Sequence, residues 1–449
     1  MARPALKLSF PRQLVAPLLL AAMLAGCKTQ QATFLGALDD NVEVQTNGWG
    51  LRKLDTKDYP DMKLAWMDKT GLEKAIQKSR DFLGKPSSRR FYPSNNPGDT
   101  ITHDQVDATL ADIQLMIRKN ISPEQFQQEI ISRYDVYTSV GYNSKGDVWF
   151  TGYFTPQYEG SRTRTGEYQY PIYSRPADLV SDPITGEVKG TYATRRELES
   201  SGKLRGLELI YFKKPIEPFL VQVQGSAQVT LPDRTVLYVG YAGSNGRDAL
   251  GLGTQLRDEG KIDAKHLSLP AVLAYFDQHP DELQPHIMKD DRFTFLKIYT
   301  DAERAEWPTG SLNAQVTTDR SLATDKRIFP RASLTFIDVP KPTTAGTVES
   351  YKGFALDQDT GGAIRAAGRA DIYMGIGDAA GRRAGLEYAQ GRLYYVFLKP
   401  QYVQAAPAAP ALTRVVPNSP NRAGGQGQPV PANRPPGADE MFPGAVPRQ

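Results

Sequence analysis

Short strand-like runs separated by glycine and proline recur through most of the chain after residue 147. The run Val148–Pro156 ends at a proline, and further runs lie at residues 293–296, 333–337, 353–356 and 392–398. These runs do not alternate regularly with helical segments, which argues against a doubly wound parallel sheet, and the sequence contains no internal repeat. We therefore expect a mainly β fold with flanking α-helices, in which a β-barrel is interrupted by an inserted β-rich module.

Three segments before the first long strand carry apolar residues at helical spacing. Their expected start and stop signals are Thr70 with Glu73 and Gly84 for the first helix, Thr102 for the second, and Ser122, Pro123 and Gln125 for the third. The first signal has the spacing of a capping box. We expect the apolar stripes of these helices to pack on the barrel.

The segment from residue 157 to about residue 290 is rich in turns and short strands. Apolar side chains alternate with their neighbours over residues 219–224, which predicts a strand there. The later part is helical in pattern, at residues 250–256 and 271–276, and Pro270 is expected at the first helical position. This segment reads as the inserted module.

The 449 residues exceed one small domain and suggest two domains between distinctive ends. Basic residues precede the apolar run 14–25, which is too short to span a bilayer and is typical of a secretory signal. The run ends in Leu24-Ala25-Gly26-Cys27, which resembles the bacterial lipobox. Cys27 is the sole cysteine, so it cannot form an internal disulfide, and lipid attachment explains it best. Lys28, rather than an aspartate, follows it, which by resemblance to enterobacterial sorting favours the outer membrane.

The composition of the chain excludes some classes of function. The net charge is +4 and no basic run interleaves with aromatic residues, which argues against nucleic-acid binding. Four scattered histidines provide no spaced ligand set for a metal. Residues 405–449 are dense in Pro, Ala, Gly, Gln and Asn, and we expect them to be disordered because they cannot bury a core.

Two aspartates lie among glycines between residues 357 and 385. Asp359 is followed by Thr360, Gly361 and Gly362, where we expect a sharp turn with positive φ and close approach of a ligand. Asp371 begins a short apolar run that reads as a strand. Two acids on a glycine-lined surface suggest proton transfer to a polar ligand. The alternative that both acids hydrogen-bond turn amides stays open.

Two other motif-like stretches are better explained as turns. Residues 242–246 imitate a nucleophile elbow, but no α/β-hydrolase pattern surrounds them and Asn245-Gly246 is a turn signal. Residues 375–381 imitate a dinucleotide fingerprint, but the third glycine is one residue late and no βαβ unit follows. Neither stretch competes with the acid pair.

Several motifs together resemble the membrane-bound lytic murein transglycosylase A family, bacterial lipoproteins that cleave the glycan of peptidoglycan. The resemblance runs from about residue 47 to residue 400. The motifs, in order, are Gly152-Tyr153-Phe154-Thr155-Pro156, residues 166–173, Val223-Gln224-Gly225-Ser226, Tyr241-Ala242-Gly243, Thr318-Asp319-Arg320-Ser321, residues 359–364, Asp371-Ile372-Tyr373, residues 375–377 and Ala384-Gly385. Asp319, Asp359 and Asp371 match the three aspartates after which the family's C-terminal domain is named.

The resemblance implies a double-psi β-barrel domain built from both ends of the chain, with a smaller β-rich domain inserted and the glycan in the groove between them. The expected boundaries are a lipoprotein signal at 1–27, a tether at 28–46, the first barrel part at 47–155, the insert at 156–290, the second barrel part at 291–400 and the tail at 401–449. The segment between Asp359 and Asp371 is one residue longer than in enterobacterial members.

The implied reaction cleaves the β-1,4 bond between N-acetylmuramic acid and N-acetylglucosamine and forms 1,6-anhydro-N-acetylmuramic acid. Because the C6 hydroxyl of the sugar is the nucleophile, one residue can act as acid and then as base, and Asp371 matches the family's catalytic position. Asp371 must first be protonated, which desolvation or a nearby carboxylate such as Asp359 would favour. Asp359 would orient it or stabilise positive charge on the sugar, and Asp319 would tie barrel loops together.

Further residues in the motifs are candidates for substrate binding: Tyr153, Thr155, Gln224, Ser226, Gly361, Gly362 and Tyr373. For Thr155, Gln224 and Ser226, the alternative that they satisfy backbone groups in turns stays open. The resemblance implies no cofactor. The expected partners are peptidoglycan glycan strands and, through the N-terminal lipid, the periplasmic face of the outer membrane, and proteins of cell-wall synthesis or division are not identified.

Two other functions remain possible on the sequence. One is a lipoprotein that binds peptidoglycan without cleaving it, and the other is a muramidase-type hydrolase in which Asp359 is the base. The products separate the three: anhydro ends for the lytic enzyme, reducing ends for the hydrolase and none for the binder.

Overall fold

The computed structural model describes residues 49–96, 99–182, 188–263, 266–343 and 347–403. The predicted signal with Cys27, the tether and residues 404–449 of the predicted tail lie outside these residues. No helix in the described ranges is long and apolar enough to cross a membrane.

Sixteen strands lie in the described residues. They are β1 Leu51–Lys53, β2 Ser94–Asn96, β3 Asp99–Ile101, β4 Tyr134–Ser139, β5 Asp147–Thr155, β6 Gln157–Glu159, β7 Tyr170–Tyr173, β8 Glu208–Phe212, β9 Ser226–Thr230, β10 Val236–Ser244, β11 Thr294–Ile298, β12 Ser321–Ala323, β13 Leu334–Pro342, β14 Val348–Asp359, β15 Arg369–Ile376 and β16 Tyr388–Leu398.

Eleven α-helices accompany them in the same residues. They are α1 Lys63–Met67, α2 Leu72–Leu83, α3 His103–Lys119, α4 Pro123–Arg133, α5 Arg195–Ser200, α6 Ile216–Gln224, α7 Leu252–Asp258, α8 Leu269–Gln278, α9 Pro280–Ile287, α10 Asp378–Leu386 and α11 Pro400–Val403.

Six strands close into a barrel, which confirms the predicted fold class. The main sheet has the order β1-β4-β16-β13-β14-β12-β15-β5, and an additional pairing of β16 with β5 closes it. The β12–β14 and β15–β5 pairs are parallel, and the other four neighbours in the barrel are antiparallel. Strand β5 comes from the first part of the chain and the other five from residues 321–398, so the barrel needs both parts.

Alternation of side chains fills the barrel core and leaves a second face available. Phe150 and Phe154 of β5, and Ile372 and Met374 of β15, belong to the large hydrophobic core. Because successive side chains of a strand point to opposite faces, the residues between them point away from the barrel interior. The outward face of this parallel pair is therefore where chemistry is possible.

The three predicted helices before the barrel are present, with one wrong cap. Thr102 and Ser122 both form capping boxes, with Gln105 and Gln125 respectively. The predicted capping box at Thr70 is wrong. Helix α2 begins after Gly71, which has φ +71 and caps the helix without a side-chain hydrogen bond.

A second sheet has the order β11-β10-β9-β6, and β7 pairs with β8 beside it. This part of the chain has its own small apolar clusters, one of which contains Ile210, Phe212, Val229 and Val239. The cluster is separate from the barrel core, as an inserted module requires. The domain boundaries themselves stay predictions.

The strand predicted over residues 219–224 is wrong, since α6 occupies it. Leu220 and Val221 are both buried whereas Val223 is 58% exposed, which a helix face permits and a strict alternation does not. Gly225 ends the helix at φ +74, in the left-handed region that glycine adopts most easily. A six-residue apolar run is too short to distinguish the two periods by itself.

The later helices differ in smaller ways from the prediction. Helix α7 begins after Gly251, so Leu250 lies outside it. Ser268 caps α8 and Leu269 is its first residue, so Pro270 is the second rather than the first helical residue. The turn predicted over residues 375–381 is wrong: the stretch contains the end of β15, a bend at Gly377 and the start of the unpredicted helix α10, which Gly377 caps.

Candidate active site

The parallel pair β5–β15 aligns the candidate residues. Its register sets Asp371 beside Thr151 and Tyr373 beside Tyr153. All four side chains belong to the face opposite the core residues. Two motifs 220 residues apart in sequence are therefore combined on one surface.

Asp371 is held through one of its two carboxylate oxygens. The Thr151 hydroxyl donates a hydrogen bond to Asp371 Oδ1, and Arg369 Nε lies 3.5 Å from the same oxygen. Arg369 Nη2 also donates to Thr151 Oγ1 at 3.3 Å. The side chain of Asp371 is 16% exposed. Its hydrogen bond and its ion pair with described residues both involve Oδ1.

Asp359 reaches the site through an irregularity in β14. Leu322 pairs with Asp357 but the next residue, Ala323, pairs with Asp359, so Gln358 is an extra residue. A bulge of this kind re-aims the side chains that follow it. Asp357 is fully buried, whereas Asp359 lies half-buried at the strand end.

Both carboxylate oxygens of Asp359 are hydrogen-bonded. Oδ1 accepts from the backbone N–H groups of Ser311 and Thr360, each at 2.8 Å, and Oδ2 accepts from the Tyr153 hydroxyl at 2.9 Å. Burial raises the pKa of Asp359, and these three hydrogen bonds act in the opposite direction. The bond to Thr360 is the turn-amide interaction that the sequence left as an alternative.

Tyr153 lies between the two acids. Burial raises the pKa of Tyr153 well above its ordinary value, the charge of Asp359 adds to this, and that of Asp371 adds a smaller contribution. The Tyr153 ring lies 5.2 Å from the Tyr373 ring, centroid to centroid. The two aspartates therefore face one surface, with a phenol between them.

A row of hydroxyls continues from Tyr373 to the second sheet. The Tyr373 hydroxyl and Thr155 Oγ1 are 3.0 Å apart, and Thr155 Oγ1 and Ser226 Oγ are 2.9 Å apart. Thr155 is fully buried and Ser226 is half-buried. Thr155 thus links the barrel to β9, and Ser226 is the more accessible of the two.

Gln224 contacts the backbone of β5. Its Oε1 accepts from the Phe154 N–H at 2.9 Å. The backbone role that the sequence left open for Gln224 is therefore the one this oxygen fills. The contact also joins the end of α6 to β5.

Gly361 and Gly362 form a turn, but the expectation of positive φ is wrong. Neither glycine is among the residues with positive φ, and Ala366 farther along the loop has φ +60. Gly362 is needed for a different reason: a Cβ there would lie 2.4 Å from Cζ of Arg292. The glycine lets the backbone pack directly on that guanidinium.

Asp319 lies in a separate ionic cluster. Its Oδ1 accepts from Arg383 Nη2 at 2.7 Å and lies 2.8 Å from Lys341 Nζ. Its backbone N–H donates to the Tyr373 carbonyl at 2.8 Å, and the φ of Asp319 is +59, in the left-handed region. Asp319 thus joins β13, β15 and α10, as expected of an acid that ties barrel loops together.

Glu387 is buried beside the Asp319 cluster. The residue is 3% exposed, and neither carboxylate oxygen has a hydrogen-bond partner among the described residues. Burial raises the pKa of Glu387 to about 8, against the opposing charges of Lys341 and Arg383. The carboxyl is therefore protonated at neutral pH.

Thr151 and Arg369 were missed in the sequence. Each lies two residues from a candidate that was named, Tyr153 and Asp371 respectively, and so on the same face of its strand. That spacing was a usable signal. The parallel pairing that brings Thr151 to Asp371 was not visible in the sequence.

Within the described residues, no group of three or more His, Cys, Asp or Glu side chains is arranged to hold a metal ion.

Two family models match the chain. The MltA specific insert domain matches residues 149–297, and the 3D domain matches residues 320–397. The chain is 30% identical over 271 residues to membrane-bound lytic murein transglycosylase A of Escherichia coli K12, which covers 59% of this chain and 70% of that protein. It is 28% identical over 274 residues to the Vibrio cholerae protein of the same name, covering 60% and 71%.

Solved structures share the fold. The membrane-bound lytic murein transglycosylase of Agrobacterium tumefaciens matches with a TM-score of 0.64 at 24% identity, over 79% of this chain and 99% of that one. The structure of E. coli MltA with bound chitohexaose matches with a TM-score of 0.61 at 25% identity, over 79% and 96%.

Glu387→Gln should change how stability depends on pH. The folded pKa of about 8 lies above the ordinary value of 4.5, so the stability that protonated Glu387 contributes is fully present below pH 4.5 and is lost as the pH rises to about 8. The loss has an upper limit of about 1.4 kcal/mol per pH unit. The amide of the variant cannot ionise, so we expect the variant to gain stability relative to wild type between pH 5 and pH 8.

Urea unfolding at several pH values measures this difference. The exposed Glu349→Gln is the control, and its curve should run parallel to wild type. Parallel curves for Glu387→Gln as well would contradict the assignment.

Proposed function

This chain belongs to the membrane-bound lytic murein transglycosylase A family, and from that premise we propose that Asp371 performs both the acid and the base step of its reaction. The enzyme is a lytic transglycosylase that cleaves peptidoglycan. The observation that carries the proposal is the contrast between the two acids. Both oxygens of Asp359 accept hydrogen bonds from described residues, whereas the contacts of Asp371 with described residues leave Oδ2 for a ligand.

The proposed step begins with the proton on Asp371. Asp371 donates it to the glycosidic oxygen as the bond from C1 of N-acetylmuramic acid breaks. The C6 hydroxyl of the same sugar then forms a bond to C1, and its proton passes to the carboxylate of Asp371. The acid is restored and no water enters, so the product is the 1,6-anhydro sugar. A glycosidase that hydrolyses its substrate uses a second carboxylate as base or nucleophile.

Thr151 and Arg369 are proposed as positioning residues. The Thr151 hydroxyl fixes the rotation of the carboxyl group by holding Oδ1, so that Oδ2 faces the groove. Arg369 stabilises the carboxylate once the proton has left, because its guanidinium lies close to Oδ1. Both effects act through Asp371 rather than on the sugar.

Asp359 is proposed to act in two ways: through the Tyr153 hydroxyl, which donates to its Oδ2, and through its own negative charge. Cleavage places positive charge on the sugar ring, and a fixed carboxylate nearby stabilises it. Its commitment to three donors makes it a poor base for water, which favours lytic cleavage over the hydrolase alternative. Incubating sacculi with the enzyme and measuring muropeptide masses tests this, because anhydro products are lighter by one water than hydrolysis products.

The groove between the barrel and the insert is the proposed glycan site. The E. coli relative was solved with chitohexaose bound. We infer that the exposed parts of Tyr153 and Ser226 contact the sugar here, together with the turn at Gly361 and Gly362. Tyr373, predicted as a further contact, is only 2% exposed and supports the site from beneath through its hydroxyl. Thr155 and Gln224 support these residues through the hydrogen bonds described above.

The location of the enzyme rests on the sequence. The relatives are named membrane-bound. We propose that Cys27 is acylated and anchors the enzyme to the periplasmic face of the outer membrane, since the lipobox-like tetrapeptide precedes it. We also propose the domain boundaries given above. The tail, residues 401–449, is proposed to be a linker.

Asp371→Asn should lower turnover on sacculi by about 100-fold to 10,000-fold, because the variant keeps the shape of the side chain but has no proton to give. Binding of chitohexaose should survive. Asp359→Asn should cost less turnover, since the acid remains, and Asp319→Asn should mainly lower the melting temperature. Release of anhydromuropeptides at a near wild-type rate by Asp371→Asn would exclude it as the acid.

Thr151→Val should lower kcat by up to about 10-fold with KM unchanged, because one hydrogen bond that orients the acid is lost. Thr151→Ser keeps the hydroxyl and should restore most of the rate. Steady-state kinetics on soluble glycan chains measure both constants. If the serine variant is as slow as the valine variant, the loss comes from packing and the positioning role is wrong.

Cys27→Ala should release the enzyme from membranes, because removal of the acylated residue removes the anchor. Membrane fractionation after salt washing measures the effect, and the wild type is the control. A variant that still sediments with the outer membrane would show that something other than lipid holds it.

A further inference from the structure

Two arginines at the turn that follows Asp359 have no ion-pair partner among the described residues. Arg292 lies just before β11 of the insert, and Arg365 lies in the loop between the two aspartates. Both are half-buried. Neither forms an ion pair with a carboxylate of a described residue. Arginine in such a position usually finds a carboxylate or phosphate, to which its planar fork binds in two places.

Arg292 is fixed against the turn that follows Asp359. Gly362 packs on its guanidinium, as its missing Cβ allows, and Arg292 Nη1 donates to the Arg247 carbonyl at 3.0 Å. In the same turn the Ile364 N–H donates to the Gly361 carbonyl at 3.1 Å, and Ile364 is buried. The turn therefore holds the next residue, Arg365, near Arg292.

The pKa of Arg292 agrees with a position of Arg365 near it. Burial lowers the pKa of Arg292, and the positive charge of Arg365 lowers it further. Two like charges in a partly buried place repel each other and are costly to desolvate. An anion bound between them would relieve both costs.

The acids nearby do not neutralise the pair. Asp290 accepts from the backbone N–H groups of Leu250 and Arg292, and its Oδ2 lies 3.9 Å from Arg195 Nη2. Asp248 is exposed and acts on Arg292 without forming an ion pair. Asp325, whose Oδ2 accepts from the Ala366 N–H beside Arg365, is paired with Arg327. None of these three carboxylates forms an ion pair with Arg292 or Arg365.

Tyr241 completes the surface. The residue is 47% exposed and lies on β10, whose end pairs with the start of β11, the strand that follows Arg292. Its electrostatic effect on Arg292 agrees with this placement. The residue belongs to the Tyr241-Ala242-Gly243 motif, to which the proposed mechanism gives no role. An exposed ring beside two cations suits a ligand that carries a carboxylate on an apolar or sugar frame.

We propose that Arg292 and Arg365 form a subsite for a carboxylate on the muramic acid side of the glycan, with Tyr241 as its wall. The carboxylate comes either from the lactyl group of N-acetylmuramic acid or from the peptide attached to it. Chitohexaose has neither, so it cannot occupy this subsite. The inference rests on the proposed function, because it assumes that the groove beside Asp359 holds peptidoglycan glycan.

Binding measurements test it directly in the Asp371→Asn background, which does not cut its ligand during titration. Three probes are compared: chitohexaose, glycan chains stripped of peptide by an amidase, and glycan chains that retain peptide. Arg365→Gln should weaken binding of at least one carboxylated glycan by about 10-fold to 100-fold, as expected for loss of one charge-assisted contact. Chitohexaose affinity should stay unchanged.

Controls separate the subsite from general charge effects. Arg365→Lys keeps the charge and should lose less, and Arg205→Gln removes an exposed charge elsewhere on the insert and should lose nothing. Arg292→Gln should resemble Arg365→Gln, with its melting temperature measured because Arg292 also packs on Gly362. A loss of affinity for the peptide-free glycan identifies the lactyl group as the source of the carboxylate. A loss only for the glycan that retains peptide identifies the peptide as the source.

Equal loss for chitohexaose, no loss for any probe, or the same loss in Arg205→Gln would overturn the subsite. Failure of the proposed function has a different signature. In that case the wild-type enzyme releases no anhydromuropeptides from sacculi, whatever the binding series gives.

Discussion

The parallel pairing of β5 with β15 is the constraint on which the site depends. It joins strands that lie more than 200 residues apart in sequence, so it forms only when both parts of the barrel have come together. Its register decides that Thr151 meets Asp371. A shift by one residue would turn every outward side chain into the core and every core residue into the groove. The buried phenylalanines of β5 make such a shift costly, and so they protect the geometry of the proposed acid.

The position of the insert follows from the same strand. Strand β5 ends at Thr155 and Pro156, where the chain leaves the barrel and enters the second sheet. The last outward residues of β5 are therefore both part of the barrel face and part of its junction with the insert. The hydroxyl row from Tyr373 through Thr155 to Ser226, and the contact of Gln224 with Phe154, fasten that junction. These contacts fix the start of the second sheet relative to the strand that carries Thr151, and so relative to Asp371.

Much of this arrangement was predictable, and the failures have physical causes. The strands, the helix starts at Thr102 and Ser122, and the acid pair were visible because they depend on local pattern. The strand runs indicated a β-barrel, but the type of barrel came from the family resemblance, since pairing between distant strands leaves no local trace. The strand predicted over α6 failed because burial by neighbours overrode a short alternation. The positive φ expected at Gly361 and Gly362 failed because Gly362 serves close packing on Arg292, which is distant in sequence.

The two acids illustrate how one fold gives similar side chains different chemistry. Asp359 ends a bulged strand, where two amides and a phenol approach its carboxylate, so its oxygens are already satisfied. Asp371 lies within a strand, where Thr151 and Arg369 on the same face reach one oxygen, and no hydrogen bond or ion pair from a described residue reaches the other. A reaction whose nucleophile belongs to the substrate needs one acid that exchanges a proton and a second charge that stays in place. The hydrogen bonding of this pair fits that division, and a bulge of one residue in β14 is what creates it.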